Sequence, residues 1–326
     1  MSSLVAKCSN SRLFHSKPHL KHSSSSPSRP FEEELALGLR SLLIPHHGSR
    51  FSLSWLAGAV RLLGHILCSA AALFSNPSLP EYDDLDAHLD AGVPLLDSCN
   101  AVSAEIARVE RRLLHLRLAL RFLSPKEVDE EDFAPRHPTK ERLRGAKKAI
   151  AKWESMSGLV TGRSAGEFIR RMAPDEPTRG HVSAVRRATF AVEAVSHLVM
   201  AAAMVVFGCG DFELLGEIKV SRNWPWAEAY NDVAAALSGG GGPAAPAELE
   251  AVEASASRLK AVMGTEEKGD RADRLTMAVK EMETATEELT AGLDGLRENV
   301  NGAFHAAMEM RNTALNRLRS RTRRCK

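Results

Sequence analysis

Aromatic residues are scarce in this chain, 5% of a composition that is 44% hydrophobic. Strands draw on aromatic and β-branched side chains, so a core poor in rings and rich in Ala and Leu argues for helices. An excess of one charge is missing too: Lys and Arg number 43, Asp and Glu 41, and the formal net charge is +2. No global field points to nucleic acid or to an acidic partner. The five cysteines, Cys8, Cys68, Cys99, Cys209 and Cys325, are odd in number and scattered, with no C-x-x-C pair. This speaks against a disulfide framework or a zinc site and for free thiols in a reducing compartment. The most apolar run, LVMAAAMVVF at residues 198–207, is shorter than the roughly 20 residues of a membrane span. It reads as a buried core helix, with a re-entrant or marginal membrane segment near 188–207 as the alternative. No Ser/His/Asp set, metal cluster or phosphate loop stands at a usable spacing. GLVTGRS at Gly158–Ser164 is one residue short of a phosphate loop and carries Arg163 where Lys belongs. The chain is therefore read as a non-enzyme with no cofactor, no metal and no evident small-molecule substrate.

What the sequence does have is two long apolar seams. The first runs Leu95, Cys99, Val102, Ile106, Val109, Leu113, Leu116, Leu120, Leu123, in alternating steps of four and three. That spacing returns to one face of a helix. Glu105, Arg108, Glu110, Arg111 and Arg117 fall between and suit a solvated face. The second runs Leu275, Val279, Met282, Thr286, Leu289, Leu293, Leu296, Val300, Ala303, Ala307, Met310, Ala314, Leu318. Seams this long need partner helices, and the two are expected to pack along each other. Gly292, Gly295 and Gly302 weaken the second by roughly 1 kcal/mol each relative to Ala.

In chain order, residues 1–30 hold no Asp or Glu but several Lys, Arg and His and the run Ser23–Ser26. This is the composition of a disordered leader or of an organelle (chloroplast) transit peptide. Pro30 and Glu32–Glu34 open a short helix. Ser52 or Ser54 caps a second, through about Phe74, with Trp55, Leu62, Leu63, Ile66 and Leu67 facing inward. Asp83, Asp84 and Asp86 open the first long helix, and Pro94 predicts a kink or a fresh start near Val93. Thr139 caps a basic amphipathic helix. Its Lys140–Lys152 run lacks the aromatic platform of a nucleic-acid surface and reads as solvated. A helix follows from about His181 to Phe207, in which His197 is a core histidine with a backbone partner. Asn223 caps a helix containing Trp224, Pro225 and Trp226, and Pro246 starts one to about Met263. The chain ends in a basic tail, with Arg317, Arg319, Arg321, Arg323, Arg324 and Lys326. It reads as a solvated tail or as a contact for anionic lipid.

The expected fold class is all-α: an elongated multi-helix bundle built on two long heptad-like helices. A leader at 1–30 precedes a bundle at 31–320, with flexible linkers near 124–138, 157–181 and 238–247 and the basic tail at 321–326.

Four segments resemble the plant BYPASS-type family, which includes the ROH proteins. They are Phe51–Ile66 with its Ser-Trp; Leu85–Val109, where His88, Leu89, Asp90, Leu95, Leu96, Asp97, Cys99, Asn100, Ser103 and Glu105 fall in register; Asn223–Val233; and Met310–Ser320. Gly92 and Pro94 depart from the pattern, and neither the leader nor the basic tail is part of it. The resemblance implies a non-enzymatic role in plant development, restraining a root-derived mobile signal that arrests shoot growth and supporting root and shoot development. Its alternative is an adaptor for an exocyst subunit, peripheral to a membrane, in exocytosis and cell-wall or seed-coat deposition. It supplies no catalytic residue.

Overall fold

The computed structural model describes residues 28–43, 51–79, 83–124, 138–156, 163–177, 182–209, 212–239, 245–264 and 271–324, with the backbone alone at 83–88, 90–91, 163–166, 212, 271 and 321–324. The described residues form α-helices, one 3-10 turn at Phe212–Leu215 and no strand, so the all-α class holds. The helices are α1 (Arg29–Ser41), α2 (Leu53–Phe74), α3 (Asp83–Leu123), α4 (Lys140–Ser155), α5 (Arg163–Arg171), α6 (Ala184–Val206), α7 (Ala227–Ser238), α8 (Ala247–Gly264) and α9 (Arg271–Arg324).

Local chemistry sets the ends. Ser52, Thr139 and Ser183 each accept from the backbone N–H three residues on, at 3.1, 3.3 and 2.9 Å, and so cap α2, α4 and α6. Both oxygens of Glu248, in α8, lie 3.0 Å from the Leu53 N–H and place a carboxylate on the positive end of α2. α6 ends on Gly208, whose φ of 71° is left-handed. Gly208 N–H reaches Val205 O at 2.9 Å and Cys209 N–H reaches Met204 O at 2.8 Å, a Schellman closure.

Every residue of the α3 seam is buried, and so is the α9 seam except for Val279 and Leu318, which are half-buried. The two helices do pack together, but α9 packs most extensively on α2 and only next on α3. Two glycines lie at the α2–α9 contact. A Cβ on Gly64 would lie 3.6 Å from the Ala303 backbone, and one on Gly292 would lie 3.0 Å from Leu53 Cβ. α2 and α9 therefore meet closely at Gly292, where a side chain would crowd Leu53, whereas Gly64 faces Ala303 at ordinary contact distance. The glycine that weakens α9 in isolation secures its packing at Gly292, whereas Gly295 and Gly302 have nothing nearby.

α6 is the central helix. Among the described residues two helices, Leu53–Phe74 and Ala184–Val206, are long and apolar enough to cross a membrane, but 94% of the most apolar window of α6 is buried inside the fold. Its apolar surface is taken up by α1, α2, α3, α5 and α7.

Several expectations are corrected. α3 runs without interruption through Pro94, so there is no fresh start at Val93. The stretch 157–181 is not all linker: α5 lies within it, because Ile169 and Met172 are buried against α3 and α6. Asn223 caps nothing, and α7 starts only at Ala227. Both Trp224 and Trp226 stack on Phe190, at 4.8 and 5.6 Å. Positions two apart point to different sides of a helix, so turns are needed to bring both rings inward. α9 carries on to Arg324, past the expected start of the tail at 321.

Candidate functional site

The polar chemistry inside the bundle gathers around α6. Glu32, 2% exposed, receives both Nε and Nη2 of Arg187 at 2.5 and 2.8 Å and ties α1 to α6. The same guanidinium sits 4.8 Å above the Trp224 ring, whose Nε1 donates to Glu176 at 2.9 Å. On α3, Arg112 stacks on Trp153 at 3.6 Å, donates to the Trp153 carbonyl at 3.0 Å and reaches Glu253 at 3.2 Å, joining α3, α4 and α8. Burial pulls its pKa down, and Glu253 opposes the shift. Glu105 and Arg108, expected on a solvated face, are not there. Glu105 is buried and pairs with Arg108 at 2.5 Å, and Arg108 Nη2 caps the Phe207 carbonyl at the end of α6 at 3.4 Å. The seam spacing could not show this, since α6 covers that flank.

Glu193 and His197 lie one turn apart on α6. Burial raises the Glu193 carboxyl from 4.5 to about 7, with Arg186 opposing and Asp175 reinforcing. Burial lowers His197 from 6.5 to about 4. The expected backbone partner of His197 is absent: its Nε2, like Ser196 Oγ, Thr189 Oγ1 and Trp226 Nε1, has no hydrogen-bond partner among the described residues. The cavity beside Glu193 and Ser196, also lined by Met172 and Met310, holds about 20 Å³. That is room for one water-sized group and no organic substrate. Burial also pushes Cys99 up to about 12 and Cys209 to about 11, so neither thiol is poised as a nucleophile.

The basic residues near the end of the sequence are separated by the fold. Arg317 is half-buried and donates to the Phe74 carbonyl, the end of α2, at 2.6 Å. Arg319 is exposed. The side chains of Arg321, Arg323 and Arg324, and Lys326 altogether, lie outside the described residues, as does the leader before Ser28. Open grooves on the described surface include one between α8 and α9 of about 420 Å³, one between α3 and α9 of about 540 Å³ and one between α1 and α2 of about 430 Å³.

Two rice proteins, both named UPF0496 protein 4, one from Oryza sativa subsp. japonica and one from subsp. indica, are each 29% identical to this chain over 291 residues. The match covers 83% of the chain and 61% of each rice protein. Protein BPS1, chloroplastic, of Arabidopsis thaliana is 23% identical over 313 residues, covering 89% of the chain and 83% of that protein. The chain is thus similar to plant UPF0496 proteins and to BPS1, in line with the BYPASS-type resemblance. It spans about three-fifths of the length of its rice relatives. No family model matches it, and neither does any solved structure. The BYPASS-type resemblance drawn from Leu85–Val109 falls on α3, whose buried seam begins at Leu95, in the middle of that stretch.

Proposed function

We propose that this chain is a non-enzymatic regulator of plant development of the BYPASS type, which restrains a root-derived mobile signal that arrests shoot growth. One observation carries the reading: the similarity to BPS1 extends over 89% of the chain. The interior supports it. The titratable groups around α6 serve packing, and the cavity they line is too small for a substrate. Grafting tests the proposal. A wild-type shoot on a root lacking this protein stops growing, and growth returns when the full chain is expressed in that root. Normal growth of the wild-type shoot on the deficient root overturns it.

A second reading, an adaptor for an exocyst subunit, is favoured by one feature of the surface. Leu114 and Leu118 of α3 are 56% and 44% exposed in a helix whose other leucines are mostly buried. Affinity purification from plant tissue at low and high salt separates the readings. Exocyst subunits retained at both salts favour the adaptor; their absence leaves the regulator.

A further inference from the structure

The outward face of α3 repeats the spacing of its buried face. Ala104, Ala107, Arg111, Leu114, Leu118 and Arg121 follow at steps of three and four and so form one stripe. Leu114 and Leu118 are among the few exposed large hydrophobic residues of the described fold, at 56% and 44%. The stripe runs for about 25 Å, some five helical turns. Along it lies the groove between α3 and α9, about 540 Å³, with Leu113 and Leu114 on one side and Thr290 and Asp294 on the other. The charges around this groove are unbalanced. Its acids are already used, since Glu110 and Asp294 both pair with Arg297. Arg111, Arg117 and Arg121 are exposed. Arg111 bonds the Ala107 carbonyl at 3.3 Å and Arg117 the Thr290 hydroxyl at 2.9 Å, and none of the three meets a carboxylate among the described residues.

We propose that this groove docks an amphipathic helix of a partner protein, with apolar residues at heptad spacing and acidic residues on its flanks. A helix of that kind buries Leu114 and Leu118 and supplies the carboxylates that the three arginines lack. A second copy of this chain would set two cationic stripes against each other. A lipid surface would meet the leucines but leave the concave wall at Thr290 and Asp294 unfilled. The inference rests on the non-enzymatic reading proposed above and names the kind of partner through which such a regulator acts.

The test uses the full chain and two synthetic helical peptides with leucines at heptad spacing, one flanked by glutamates and one by lysines, followed by fluorescence anisotropy. The glutamate peptide binds at micromolar concentration and the lysine peptide does not. The double variant Leu114→Gln/Leu118→Gln weakens binding by about tenfold or more. Because both leucines face solvent, its helical signal and melting temperature match those of the native chain. The variant Arg111→Glu/Arg121→Glu reverses the preference between the peptides. Equal binding of both peptides, or undiminished binding by the leucine variant, overturns the proposal. So does a native dimer that the leucine variant dissociates, or binding of phosphatidylserine vesicles through the same leucines in place of the peptide. Failure here with growth still rescued in grafted plants removes the groove and keeps the regulatory reading; failure of the graft alone does the reverse.

Discussion

Replacing Glu193 or His197 should give opposite pH profiles of stability, although the native chain shows almost none from this pair. Glu193 is raised from 4.5 to about 7 and His197 is lowered from 6.5 to about 4, both by burial. Between those values the folded protein keeps both neutral, the carboxyl with its proton and the imidazole without. The unfolded chain in the same range holds Glu ionised and His protonated. One proton sits on the pair in either state, so folding takes up almost none and stability barely depends on pH. Taken singly the two groups differ in sign. The raised carboxyl contributes stability that is full below 4.5 and lost as the pH climbs to about 7. The depressed imidazole contributes stability that is present above 6.5 and lost as the pH falls to about 4. Each displacement corresponds to about 3 kcal/mol. Glu193→Gln therefore leaves a protein whose stability rises by about 3 kcal/mol from pH 4 to 6.5, and His197→Asn one whose stability falls by about as much from 4.5 to 7. Urea unfolding followed by circular dichroism, from about pH 4 to about pH 8, reads this directly as the difference between each variant and the native chain. Difference curves that are flat, or that slope the same way for both variants, would refute the reasoning.

The other predictions concern packing and surface. Gly292→Ala should destabilise by about 1–2 kcal/mol, since its Cβ meets Leu53 Cβ and Cδ1 at 3.0 Å. Gly302→Ala, in open space, should stabilise by up to about 1 kcal/mol; thermal melting that ranks the two the other way contradicts the packing. Glu32→Leu should cost about 3 kcal/mol by leaving Arg187 unpaired, and Glu32→Leu/Arg187→Leu should cost less than the single change, as a double-mutant cycle in urea will show. Removing residues 321–326 keeps the Arg317–Phe74 bond and should weaken binding to anionic vesicles by about 1 kcal/mol per charge lost. Unchanged binding, or binding indifferent to salt, removes the membrane role. A fluorescent protein fused behind residues 1–30 should enter chloroplasts if that stretch acts as a transit peptide; a cytosolic signal discards it.

Periodicity alone marked the seams of α3 and α9, because a helix repeats its faces wherever it goes. The cap at Thr139 was equally legible, and that of α2 was narrowed to Ser52 or Ser54, since a cap is a contact between residues three apart. Contacts distant in sequence were not. The seams did not say that α9 would lie mainly on α2, with Gly292 set against Leu53. Nor did they say that α6 would cover Glu105, leave His197 without a partner and turn Trp224 and Trp226 onto Phe190. The outward stripe from Ala104 to Arg121 was present in the sequence with the same spacing as the buried one, but only the packing reveals which of the two stays open. Sequence by itself determined the class, the long helices and the resemblance to BYPASS-type proteins, because these rest on local pattern. The tertiary structure decided which polar groups lose water and which apolar face keeps it, because burial depends on neighbours far along the chain.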